Sequence, residues 1–447
     1  MTYRNTLLIA CGFASLATIT HAAEPSIGPL HAYVTKPDDS FRWTKRREGK
    51  LGTATFAELT LTSQTWRDIV WRHQLFILKP AEVADDGRAI LFIAGGRWRE
   101  ELAGPVNEAN EKLPKEALLL SAAAAALKSP VAVLLHVPQQ PILGGLVEDA
   151  AISYTFDQYL KTQDAEWPLL LPMVKSAVRG MDAVEQFARQ DWSLDIKSFT
   201  LTGASKRGWT TWLTGAVDKR ASALVPMVID VLNMTPQMKH QLETWGKFSE
   251  QIQDYTQRGI QDRTGTFAGK LLNDMIDPYS YRASLTQPKL IMLGTNDRYW
   301  PLDALNIYWD GLPGEKYICY IPNNGHGLND VPRIVGGLTA MHKSASGRLT
   351  LPKMSWKLDE KEGKLTMRLS SDQKPAKVSA WIATAPTKDF RDAKWHSEST
   401  EQVAGSHQYK RDVPITGYAA QFGEAAFDDS GTPYFLSTNV RIVGAAK

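Results

Sequence analysis

The chain has 447 residues, with 51 Lys and Arg against 48 Asp and Glu and a formal net charge of +3. That length and its 43% hydrophobic content suit two or three globular domains. With so small a net charge and no Lys/Arg-rich run, neither nucleic acid nor an anionic membrane surface is implied as a partner.

The first 22 residues carry the three parts of a secretory signal: Arg4 in a short polar start, an apolar run from Thr6 to Ile19, and small residues around Ala22. Cleavage after Ala22 is expected, giving a periplasmic or secreted protein. A lipoprotein box can be drawn at Cys11, but it leaves only about five apolar residues before the cysteine, short of the roughly seven a signal needs. Removing the signal leaves Cys319 alone, so no internal disulfide is expected, and its strand-like surroundings make it a buried small hydrophobe. No later stretch approaches the roughly 18 apolar residues of a membrane span.

From Glu24 to about Pro80 the sequence holds strand-like pieces, including Ala54 to Leu61 and Trp66 to Pro80. Strands and helices then alternate. Ala89 to Ala94, Val131 to His136, Ser198 to Leu201, Ala223 to Ile229, Lys289 to Leu293 and Tyr317 to Ile321 read as strands. Pro114 to Lys128, Trp167 to Arg189 and the stretch after Ser205 read as helices. This alternation predicts an α/β domain over 23–346, a mainly parallel sheet with helices on both faces. Residues 231–287 interrupt it with helix-like, charged, Trp- and Met-containing sequence and read as a helical cap insertion. Beyond Gly347 the period changes to two, as in Lys364 to Leu369. Further strands at Val378 to Ala383, Tyr418 to Phe422 and Tyr434 to Val443 predict an Ig-like β-sandwich over 347–447.

Chemistry concentrates where strands end. Ser198 to Thr210 runs from a strand through Gly203-Ala-Ser205-Lys-Arg-Gly208 into a helix. This reads as a nucleophile elbow, with the second glycine one place later than in Gly-x-Ser-x-Gly. Downstream, Asp297 and His326 each follow a strand, in the Ser, acid, His chain order of the α/β-hydrolases. Ser205 is therefore the candidate nucleophile, His326 the base and Asp297 the orienting acid, with Asp230 as the alternative acid. Backbone N–H groups of Lys206 and of Arg97, on the Ala94-Gly95-Gly96-Arg97 turn, are the candidate oxyanion donors. Glu100 and Glu101 are candidates for holding a substrate ammonium group, and His136 for lining the pocket. No metal-ligand spacing, phosphate-cradling glycine loop or dinucleotide fingerprint stands out, so no metal and no cofactor are expected.

Thr62 to Trp66, Trp71 to His73, His136 to Pro141, Gly203 to Trp209, Gly294 to Asp297 and Asn324 to His326 together resemble the PhoPQ-activated pathogenicity-related (PqaA-type) proteins. The resemblance implies an α/β-hydrolase-like fold, export, and regulation by a two-component system responsive to host conditions. The elbow with its late glycine also resembles that of glucuronoyl esterases, which place Arg where Lys206 stands, a departure that weakens the case for sugar esters. The sequence thus leads to an exported serine hydrolase acting through an acyl-enzyme, leaning to peptides (aminopeptidase-like, with cationic peptides as one class). A carboxylesterase is the first alternative and a non-catalytic binding or signalling protein on a hydrolase scaffold the second. A peptide or ester is the only partner expected, with no obligate protein partner.

Overall fold

The computed structural model describes residues 28–107, 111–113 and 116–444. The signal segment expected over 1–22, with Cys11 and the Ala22 junction, lies outside the described residues.

Nine strands build the core sheet: β1 (Arg42–Leu51), β2 (Ala54–Trp66), β3 (Ile69–Lys79), β4 (Arg88–Ile93), β5 (Val131–Leu134), β6 (Ser198–Ala204), β7 (Ala221–Met227), β8 (Lys289–Gly294) and β9 (Lys316–Ile321). Their spatial order is β1-β2-β3-β5-β4-β6-β7-β8-β9. β1 to β3 form an antiparallel ribbon whose last strand pairs antiparallel with β5. From β5 to β9 every pairing is parallel. Strands such as β8, buried along its whole length, read as unbroken apolar runs because helices cover both faces. The helix Leu170–Trp192 inserts much of its length into the core, Met181, Val184 and Phe187 among its buried side chains. This is an α/β-hydrolase sheet. The chain moves outward in both directions from β4, with β5 on one side and β6 on the other, so a crevice opens at the carboxyl ends of these central strands.

The segment over 231–287 holds the helices Met234–Trp245, Gln253–Thr256, Ile260–Arg263 and Phe267–Ile276. A helix not foreseen from the sequence, Glu148–Thr162, packs beneath them. Among the described residues no helix is long and apolar enough to cross a membrane. Cys319 is fully buried in β9, and burial pushes its thiol up to about 12.

The C-terminal region is antiparallel, in two sheets. One contains Met354–Lys361 and Lys364–Ser371; the other contains Lys377–Ala385, Tyr418–Asp429 and Thr432–Ser437. The second sheet is continuous with the core. Ser437 pairs with Ile318 of β9, and the Ser437 hydroxyl accepts from the Tyr320 N–H at 3.0 Å. The loop between Lys377–Ala385 and the next strand reaches back to the core, where the Asn296 amide donates to the carbonyls of Phe390, Arg391 and Ala393. Asn323 exchanges two hydrogen bonds with the Trp395 backbone.

Candidate active site

Ser205 sits at φ 57°, ψ −125° between β6 and the helix Lys206–Val217. These angles are unfavourable for a residue with a Cβ and mark a strained turn. The displaced second glycine has a packing reason. A Cβ on Gly208 would lie 2.7 Å from Ile229 Cγ2 and 2.9 Å from the Met227 carbonyl, so the helix can pass the end of β7 only without a side chain there. The place a glycine usually takes belongs to Arg207. Its guanidinium occupies the space a Cβ on Gly95 would need, donates to the Val137 carbonyl at 2.6 Å and grips Glu148 with two bonds of 2.7 Å. Gln140 adds a 2.6 Å bond to the same carboxylate. Burial works to raise the Glu148 pKa, but Arg207, Gln140 and the Lys206 charge outweigh it and hold the carboxyl at about 2. The elbow is thereby tied to the turn after β4 and to the loop after β5.

Asp297 and His326 meet. His326 Nδ1 lies 2.8 Å from Asp297 Oδ2, and Asp297 Oδ1 accepts the Tyr299 N–H at 2.9 Å. The Tyr299 ring lies against the imidazole with centroids 4.2 Å apart. His326 Nε2 is buried and has no hydrogen-bond partner. Ser205 and His326 both line one cavity of about 70 Å³.

Asp230 does not join this pair. It is buried after β7, accepts from the Tyr308 hydroxyl at 2.6 Å, and burial raises its pKa to about 7. Lys206 opens its helix, so its N–H is one of the first-turn donors with no acceptor inside the helix. β4 and β6 pair with Ile93 opposite Gly203, which brings the exposed Arg97 turn alongside the elbow.

Three sequence expectations need correction. Glu100 does not line the cavity; it accepts from Arg72 and the Trp98 indole, each at 3.1 Å. Glu101 is exposed and likewise outside it. His136 is buried, not pocket-lining: its Nε2 meets Gln74 at 3.0 Å and its ring lies edge-on to Trp98. Desolvation lowers its pKa to about 4, and a Cβ on Gly96 would meet its ring, so it is a neutral support beneath the β4 turn.

The carboxylate that does line the cavity is Asp149. It accepts from Lys206 Nζ at 2.8 Å and from the hydroxyls of Tyr255 and Tyr299 at 2.9 and 3.3 Å. Among the described residues no group of three His, Cys, Asp or Glu side chains could hold a metal ion.

A family model described as "PhoPQ-activated pathogenicity-related protein" matches residues 30–391. Autocrine proliferation repressor protein A of Dictyostelium discoideum is 30% identical over 452 residues, covering 92% of this chain and 89% of its own length. Among solved structures, acetyl xylan esterase 1 of a Thermoanaerobacterium species is similar with a TM-score of 0.45 and 15% identity, over 67% of this chain and 87% of its own. A glucuronoyl esterase from Solibacter usitatus is similar with a TM-score of 0.38 and 14% identity, over 67% of this chain and 86% of its own.

Proposed function

The chain belongs to the PhoPQ-activated pathogenicity-related family, and on that premise we propose that it is an exported serine hydrolase cleaving an acyl bond through an acyl-enzyme on Ser205. Its hydrolase domain runs over 23–346 with a cap over 231–287, followed by the sandwich over 347–447. The observation that carries this reading is the 2.8 Å contact between His326 Nδ1 and Asp297, which leaves Nε2 without a partner on a histidine that lines the same cavity as Ser205.

In the first step His326 Nε2 takes the Ser205 hydroxyl proton as Oγ bonds to the acyl carbon. Asp297 holds the ring with its proton on Nδ1 and stabilises the imidazolium. The oxyanion is met by the N–H groups of Lys206 and Arg97. Collapse breaks the bond to the leaving group, which receives the proton from Nε2. Water, deprotonated by the same nitrogen, then releases the acid and restores Ser205.

Esters stand ahead of peptides as substrates. Glu100 and Glu101, the residues proposed to receive a peptide's amino terminus, lie outside the cavity, and Asp149 already has three donors. A second reading, a binding or signalling protein on this scaffold, takes its support from the relative named as an autocrine proliferation repressor. Turnover of p-nitrophenyl butyrate by the mature protein separates the two. The hydrolase reading expects turnover that Ser205→Ala lowers by a factor on the order of 10⁴ or more. No turnover by the unaltered protein would favour the signalling reading.

A further inference from the structure

The cavity beside Ser205 has walls of a single character over most of its surface. Met234, Met238, Ile252, Ile260 and Leu272 come from the cap, and Phe156, Trp209 and Val228 from the core. Its polar lining includes Ser205, His326 and the Lys206–Asp149 pair, together with Gln261, Thr264 and Asn273 of the cap. The Lys206–Asp149 pair is neutral and satisfied within the protein, so it offers no net charge to an ionic substrate. Protein interiors are packed to crystal density and leave few voids. A hollow with walls this uniformly apolar, lined at one side by the candidate nucleophile Ser205, therefore has the form of a ligand site.

Resting on the serine-hydrolase reading, we propose that this cavity is the acyl pocket and that the substrates are esters of apolar, medium-length carboxylic acids. The acyl group is the part placed there for a chemical reason. It stays bonded to Ser205 Oγ between the two steps, whereas the leaving group must depart to solvent, which a pocket roofed by the cap would hinder. Four to six methylenes against Met, Ile and Leu side chains supply binding energy that a charged or sugar acyl group could not draw from these walls. Met234 and Met238 are unbranched and adaptable, suiting a chain that takes more than one conformation.

The test is kcat/KM across p-nitrophenyl esters from acetyl to dodecanoyl. It should rise about fourfold for each methylene buried, peak near hexanoyl to octanoyl, and fall once the chain outgrows the pocket. Acetate esters of alcohols of increasing length should show no such rise. Met238→Trp and Leu272→Trp, which fill the cavity from different helices, should each lower the octanoyl-to-acetyl ratio at least tenfold; being a ratio, it is independent of how much folded protein each variant yields.

A flat or acetyl-preferring acyl series, a preference that follows the alcohol instead, or a ratio unchanged in a folded variant would overturn the proposal while leaving Ser205 active. Loss of all ester turnover together with failure of a fluorophosphonate to label Ser205 would instead sink the hydrolase reading beneath it.

Discussion

Two aspartates leave neighbouring strands at the same end of the sheet, and their surroundings give them opposite characters. Asp297, after β8, is bonded to an imidazole nitrogen and a backbone N–H. Asp230, after β7, is sealed in with Tyr308, with Asp297 and Asp303 adding charge repulsion to the burial that raises its pKa to about 7. Position at a strand end makes an acid available; the partner it finds decides whether it can steady a histidine. The turns also differ in support. The residue before Asp297, Asn296, is fastened to three carbonyls of the C-terminal region, so the sandwich holds one of the two acids in place.

Exchanging the acids' roles by mutation is the strongest way to break this contrast. Asp297→Asn should lower kcat by a factor on the order of 10⁴, as expected when a triad histidine is left in the wrong tautomer. The same change at Asp230 should lower it less than about tenfold, since Asn keeps the acceptor for Tyr308. The reverse ranking in steady-state kinetics would transfer the orienting role to Asp230.

A smaller effect sharpens the point about support. Asn296→Ala removes both N–H donors to the three carbonyls and the acceptor for the Thr295 hydroxyl, a net loss of about 1 kcal/mol for each bond, and frees the Asp297 turn. Its kcat should fall roughly ten- to a hundredfold with KM little changed, as expected of misplaced catalytic groups. A change confined to KM would show that the loop from 386 to 395 shapes substrate binding instead.

The smallest effect is thermodynamic. Between its unfolded value near 3.8 and its folded value near 7, Asp230 is protonated in the native protein and ionised when unfolded. Unfolding therefore releases a proton, and this contribution to stability is full below about pH 4 and lost as the pH rises toward 7. Asp230→Asn removes that slope, so its melting temperature relative to the unaltered protein should improve from pH 4.5 to pH 7.5. An equal difference at both pH values would contradict a neutral Asp230.

Ser205, Asp297 and His326 could be singled out as candidates because each follows a stretch suited to a strand, β6, β8 and β9. The chain order then supplied their relation. The acid was the one ambiguity, since two aspartates satisfy that rule, and only the three-dimensional partner separates them. Glu100 and Glu101 misled because charge near a cleft reads the same whether it faces substrate or Arg72. The missed residues are Glu148 and Asp149, on a helix not foreseen between Pro141 and Trp167. Their signal was indirect: Arg207 stands where the elbow usually has a glycine, and a guanidinium buried there requires a carboxylate. The cap was legible as helical, but its inward stripe of Met, Ile and Leu could not be assigned to a cavity before the helices were placed. The sandwich was legible from its alternation of two, whereas its strand pairing with β9 is a single residue pair, too slight to leave a pattern.

Ser205 is proposed as a nucleophile activated by His326. Treating the mature protein with a fluorophosphonate and mapping the adduct by peptide mass spectrometry tests it directly. One adduct is expected, on Ser205, absent in Ser205→Ala and formed far more slowly in His326→Ala. Labelling at another residue, or equal labelling of the unaltered protein and Ser205→Ala, would contradict it.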